Sequence, residues 1–258
     1  MRKAKENAMS STGLSRRTLL AAGAVSAAGA ALTAAPQPAE ARTYHGEMPW
    51  SPSAADAPVP VEPGPYEFFT PDEAAFIEAA VSRIIPKDDL GPGAKEAAVP
   101  TFLDRQMAGE YGRAERWYML GPWRAGTKSQ GYQSRLTPAQ LYRAAIKAID
   151  EHLKQANGKI FAQLSPDEQD KVLGDLDNDK IKLTNVSGKA FFELLLQNTI
   201  EGFFSDPIHG GNRDMAGWKL IGFPGARYDY RPYVDKHNQK LDLPPVSIQG
   251  RPGWNPKT

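Results

Sequence analysis

Histidine is the scarcest chemical resource in this sequence, at His45, His152, His209 and His237. No two of them stand three or four residues apart, so no helix face pairs them as metal ligands. Cysteine is absent. Its absence excludes disulfides, zinc–thiolate sites, iron–sulfur clusters, covalently attached c-type haem and a cysteine nucleophile together. His45 and His237 fall in segments that read as extended, and His152 falls beside the apolar side of a helix, where a hydrogen-bonded structural histidine is expected. The acidic groups Asp88-Asp89 and Asp175/Asp177/Asp179 read as turn residues. Counted from Asp175, the positions where a calcium loop needs Gly and Glu hold Lys180 and Val186, so an EF-hand is excluded. Gly91-Pro92-Gly93 has only the first two glycines of a dinucleotide fingerprint and follows a helix. Walker A, H-E-x-x-H and G-x-S-x-G patterns are missing.

One dense cluster stands out, running Gly202-Phe203-Phe204-Ser205-Asp206-Pro207-Ile208-His209-Gly210-Gly211-Asn212-Arg213-Asp214. Ser205 and Asp206 can close a helix and start a turn, and Gly210-Gly211 allow positive φ or close backbone approach. Three readings stay open from the residues alone. His209 could act with Asp206 or Asp214 as an acid–base pair in a stand-alone enzyme. The cluster could dock a partner. It could also be a tight hydrogen-bonded corner without chemistry of its own, as in a purely structural envelope protein.

The elements around this cluster are helical. Thr70-Pro71-Asp72-Glu73, Thr137-Pro138-Ala139-Gln140 and Ser165-Pro166-Asp167-Glu168 each combine a hydroxyl cap, Pro in the first turn and Glu or Gln three residues after the cap. The first opens an amphipathic helix through Phe76, Ile77, Ala80, Val81 and Ile84, stopped by Pro86. A second helix is expected near 97–108. The Thr137 cap opens a helix that ends at Asn157-Gly158, and the Ser165 cap opens a shorter one. Ser187 opens the most apolar segment, through Phe191, Leu195, Ile200, Phe203 and Phe204, expected to be the central helix and buried all round. Residues 109–136 read as an aromatic-rich loop packed on the helices. Lys180-Ile181-Lys182-Leu183 is the one strand candidate. The fold class is therefore all-α, a small irregular bundle of about five helices with long Pro/Gly-rich extensions at both ends.

The expected organisation is 1–41 signal peptide, 42–69 Pro-rich leader, 70–204 helical domain and 205–258 irregular tail. The tail carries seven Pro and seven Gly with six aromatics, so it either folds back over the bundle or lies along another protein. The signal reading rests on Arg16-Arg17, set ahead of the uncharged, Ala/Gly-rich run Thr18 to Ala35 and the A-x-A site Ala39-Glu40-Ala41. A retained membrane anchor is the alternative, since about 18–20 apolar residues can span a bilayer. A twin-arginine signal exports proteins already folded, and the expected location is the periplasm, with any hold on the inner membrane passing through a complex. Lys and Arg total 31 against 30 Asp and Glu, so net charge points to no nucleic-acid partner.

Two blocks carry a family resemblance. Arg83-Ile84-Ile85-Pro86-Lys87-Asp88-Asp89-Leu90-Gly91-Pro92-Gly93-Ala94, followed by Phe102-Leu103-Asp104-Arg105-Gln106, forms the first. Gly202 through Asn212, with Trp218 and Phe223-Pro224-Gly225, forms the second. Over roughly 70–230 the chain resembles the gluconate 2-dehydrogenase subunit 3 family, the small subunits of membrane-associated flavin dehydrogenases. The resemblance implies a non-catalytic accessory subunit with no cofactor of its own. Its partner would be a large FAD-containing subunit of the glucose–methanol–choline type that oxidises gluconate, another sugar or a polyol. A multihaem cytochrome c is possible as a third subunit. The small subunit would assist maturation, export and stability of the flavoprotein. No catalytic, cofactor-binding or metal-binding residue is carried over. Ser205, Asp206, Pro207, His209, Gly210, Gly211, Asn212, Trp218 and Phe223 are carried over as a structural or interfacial signature. The resemblance further implies that specificity for the sugar or polyol lies in the large subunit.

Overall fold

The computed structural model describes residues 64–248 except 125, 228, 229, 242 and 244, and the backbone alone at 128. The signal with Arg16 and Arg17, the leader up to residue 63, and residues 249–258 lie outside the described residues. The described residues form six α-helices: α1 (Pro71–Ile84), α2 (Val99–Ala108), α3 (Pro138–Asn157), α4 (Pro166–Asp177), α5 (Gly188–Phe204) and α6 (Ala216–Ile221). There is no strand among them, and Lys180–Leu183 is a loop. None of these helices is long and apolar enough to cross a membrane.

The helix starts follow the local chemistry. Thr70, Thr137 and Ser165 each accept from the backbone N–H three residues on, while Glu73, Gln140 and Glu168 reach back to the cap's own N–H. Ser187 caps α5 by accepting from Ala190 N at 3.1 Å. Gly158 ends α3 at φ 77°, where a side chain would be strained. At α2 the expected start moves to Val99. Residues 94–98 make a separate turn instead, with Ala94 N donating to Ile85 O at 2.9 Å and Ala98 in the left-handed region.

α5 lies at the centre and touches all five other helices. Its Phe191 and Leu195 are fully buried, and Phe191 meets Tyr142 of α3 at 5.3 Å and Phe76 of α1 at 6.1 Å between ring centroids. Phe76 in turn stacks on Phe161 at 4.5 Å. Each such ring contributes about 1.5–3 kcal/mol through its removal from water. The expectation that α5 is buried all round is corrected: Glu193, Gln197, Ile200 and Glu201 face outward on one side. His152 is likewise exposed on α3, not tucked beside the apolar side, because Ile149 and Leu153 take the buried positions next to it.

Polar groups inside the bundle join distant segments. Asp104 of α2 is buried and accepts from Glu67 N, Phe68 N and Phe69 N at 2.7, 2.9 and 2.9 Å, which ties the chain ahead of α1 to α2. Asn198 of α5 donates to the Tyr142 hydroxyl at 3.0 Å and accepts from the Tyr111 hydroxyl at 3.0 Å. Burial pushes both phenols up, Tyr111 to about 12.

Candidate functional site

The corner after α5 is built by hydrogen bonds from side chain to backbone. Ser205 ends the helix, and its hydroxyl donates to Gly202 O at 3.2 Å. Asp206 opens a 3₁₀ turn over Pro207–His209, its Oδ1 accepting from Ile208 N at 3.0 Å. Asp206 Oδ2 accepts from Ile248 N at 2.7 Å, so the far end of the described tail returns to this corner. Asn212 is fully buried: its Nδ2 donates to Ser205 O at 2.7 Å and its Oδ1 accepts from Gly217 N at 2.8 Å. Trp218 Nε1 donates to Phe204 O at 2.8 Å, and the half-exposed Phe223 packs edge-on against the Trp218 ring at 5.1 Å.

The glycines follow from close approach. A Cβ on Gly211 would lie 2.2 Å from Gly202 O, and one on Gly217 would lie 2.2 Å from Phe203 O. Both contacts are with backbone, which cannot swing aside. These approaches seat the corner on the end of α5, and further contacts hold it against α2 and the turn before it. Arg213 N donates to Ala97 O at 3.0 Å, and Gly210 abuts the Arg105 side chain.

The first block is held just as locally. Asp88 Oδ1 accepts from Leu90 N at 2.8 Å, and a Cβ on Gly93 would sit 2.5 Å from Lys87 N. Arg83 donates twice to Asp170 of α4, both at 2.7 Å, so hydrogen bonding raises the guanidinium and lowers the carboxyl from their ordinary values. A groove separates the two blocks, with Ile85, Pro86, Asp88, Leu90, Gly91 and Pro92 on one wall and Phe203, Ala216 and Leu220 on the other. Leu90, at 78% exposure, and Leu220 leave apolar surface at its rim.

A family model described as gluconate 2-dehydrogenase subunit 3 matches residues 71–225, from the start of α1 through the second block. The chain belongs to the gluconate 2-dehydrogenase subunit 3 family. No curated protein and no solved structure matches it. As a member of a subunit family, the chain is implied to work within a multi-subunit complex.

Within this subunit 3 chain, the nine signature positions divide by burial. Asp206, Pro207, Gly210, Gly211, Asn212 and Trp218 are buried, Ser205 is half-buried, and His209 and Phe223 reach solvent. The acid–base arrangement is not assembled. Among the described residues the exposed His209 imidazole has no hydrogen-bond partner, both Asp206 oxygens are occupied by backbone N–H groups, and Asp214 is exposed. Neither His209, Asp206 nor Asp214 lines the groove. Among the described residues no three His, Asp or Glu side chains group as a metal site.

Sequence reading missed α6 and the Asp104 and Asn198 networks. Gly217 and Gly222 hid α6. The available signal for the others was a polar residue on an otherwise apolar helix side, as with Asp104 between Leu103 and Met107.

Proposed function

We propose that this subunit 3 protein is the non-catalytic accessory subunit of a periplasmic FAD-dependent dehydrogenase of gluconate, other sugars or polyols. It aids maturation, twin-arginine export and stability of the flavoprotein. The observation that carries the reading is the corner itself. Asp206 and Asn212 each bind backbone from two directions, so these two side chains hold a surface in shape and are not free to act on a substrate. Family membership and the Arg16-Arg17 leader support it further, since a folded-protein signal on this chain can carry a cofactor-loaded companion across the membrane. The companion expected is a large FAD subunit of the glucose–methanol–choline type, with a multihaem cytochrome c possible beside it.

The test is deletion of this chain in its native host, followed by fractionation for the flavoprotein. The expected result is flavoprotein retained in the cytoplasm or degraded there. Normal amounts of flavoprotein in the periplasm without this chain reject the maturation role. Arg16→Lys/Arg17→Lys should trap both proteins inside.

A further inference from the structure

We infer that residues 113–124 and 126–136 form a preorganised basic arm that docks on an acidic, apolar-pocketed surface of the flavoprotein subunit, an inference that rests on the accessory-subunit reading above. The arm leaves α2 and returns at α3, and its base is closed by Ala139 N donating to Gly112 O at 3.0 Å. Gly112 is required there, because a Cβ would lie 2.0 Å from Met107 O. Trp117 points inward, its ring 5.5 Å from Tyr111 and 5.1 Å from Tyr132. Tyr111 is tied to Asn198 of α5, and the Tyr132 hydroxyl donates to Leu136 O at 2.7 Å. These anchors fix the next residues outward: Tyr118 is 80% and Leu120 71% exposed.

Charge names the partner's chemistry. From Arg113 to Leu136 the sequence holds Arg113, Arg116, Arg124, Lys128 and Arg135 against one acid, Glu115, in a chain whose overall charge is only +1. Arg113 and Arg116 are paired with Glu115 and Glu110. Arg124 and Arg135 are exposed and have no carboxylate partner among the described residues. An outward-facing Tyr and Leu bordered by arginines is the composition of a protein interface with an apolar centre and a charged rim. A bilayer would be expected to take a larger apolar surface. Here the stretch beyond Trp123 is polar and bonded to itself, with Thr127 N donating to Gln130 Oε1 at 2.6 Å and Gln133 Nε2 to Gln130 O at 2.9 Å.

The experiment is purification of the complex through a C-terminal tag on this chain, reading co-eluting flavin by its visible absorbance at low and high salt. Arg124→Glu/Arg135→Glu and Tyr118→Ala/Leu120→Ala should each lower the flavoprotein recovered by about tenfold at low salt. Arg124→Lys/Arg135→Lys should retain it, and each variant's thermal melt should match wild type. Recovery unchanged in both loss variants, with wild type still bringing flavoprotein, overturns the arm while leaving the accessory reading intact. No flavoprotein with wild type overturns both. Sedimentation with phosphatidylglycerol vesicles that the Glu variant abolishes, while flavoprotein recovery stays normal, assigns the arm to lipid and also overturns the inference.

Discussion

The Asn212 side chain donates to the Ser205 carbonyl oxygen at 2.7 Å, so the loop leaving α5 is folded back onto the residue that ends that helix. The other side of the same amide accepts from Gly217 N in the first turn of α6. One fully buried side chain thereby sets the angle between α5, the loop and α6, and with it one wall of the groove between the two blocks.

Replacing Asn212 by alanine removes both bonds and leaves two backbone groups without partners. Each orphaned group costs about 1–3 kcal/mol, and the φ of 47° at this position adds strain for a residue other than Asn or Gly. The expected loss is about 2–6 kcal/mol by denaturant unfolding. A variant as stable as wild type would contradict the corner's structural role.

Asp206 should matter to stability and His209 should not. Asp206→Ala frees Ile208 N and Ile248 N and should cost about 1–3 kcal/mol. His209→Ala should change stability by less than about 0.5 kcal/mol and leave dehydrogenase turnover of the complex intact. Turnover abolished by His209→Ala with assembly preserved would return the acid–base reading.

Two glycines separate steric need from conformational need. Gly211→Ala drives a Cβ into the Gly202 carbonyl and should cost about 2–3 kcal/mol or more. Gly222→Ala meets nothing within 4 Å and pays only for its φ of 68°, about 1–2 kcal/mol. Paired thermal melts compare them, and equal losses would show that the close approach is relieved elsewhere.

The Asp104 carboxylate should act as a clasp on the segment before α1. Asp104→Ala removes three acceptor contacts from a buried group, with an expected loss of about 3 kcal/mol. Limited proteolysis should then cut ahead of Thr70 sooner than in wild type. Unchanged cleavage there would mean that Phe69 packing alone holds the segment.

Acid should weaken the Arg83–Asp170 link. Asp170 has a folded value below its unfolded one, so its contribution is present above the unfolded carboxyl range near 4 and is lost as pH falls through the lower folded value. Arg83, raised further, stays charged throughout. Because the pair is partly exposed to solvent, the effect is at most about 1 kcal/mol. Arg83→Gln should flatten that part of the stability–pH curve below pH 4, measured by urea unfolding at each pH.

Much of this architecture was legible beforehand, and the reason is range. The caps at Thr70, Thr137, Ser165 and Ser187 and the stop at Gly158 depend on atoms within about four residues, so residue types alone predict them. α2 began later than expected because Ala94 is drawn to Ile85 O, a contact between segments that local propensity does not contain. α6 was invisible because its six residues include Gly217, whose helical placement depends on lying against Phe203. His152 turned outward because a histidine at the margin of an apolar stripe has no local preference for either side.

Residue order by itself determined an all-α chain of the gluconate 2-dehydrogenase subunit 3 family, the capped starts of α1, α3, α4 and α5 and the cluster that follows α5. Only the tertiary structure decided what that cluster's side chains do. Asp206 and Asn212 are chemically competent groups in any linear reading. Their partners, Ile248, Ser205 and Gly217, come within hydrogen-bond reach only once α5, α6 and the tail are packed together.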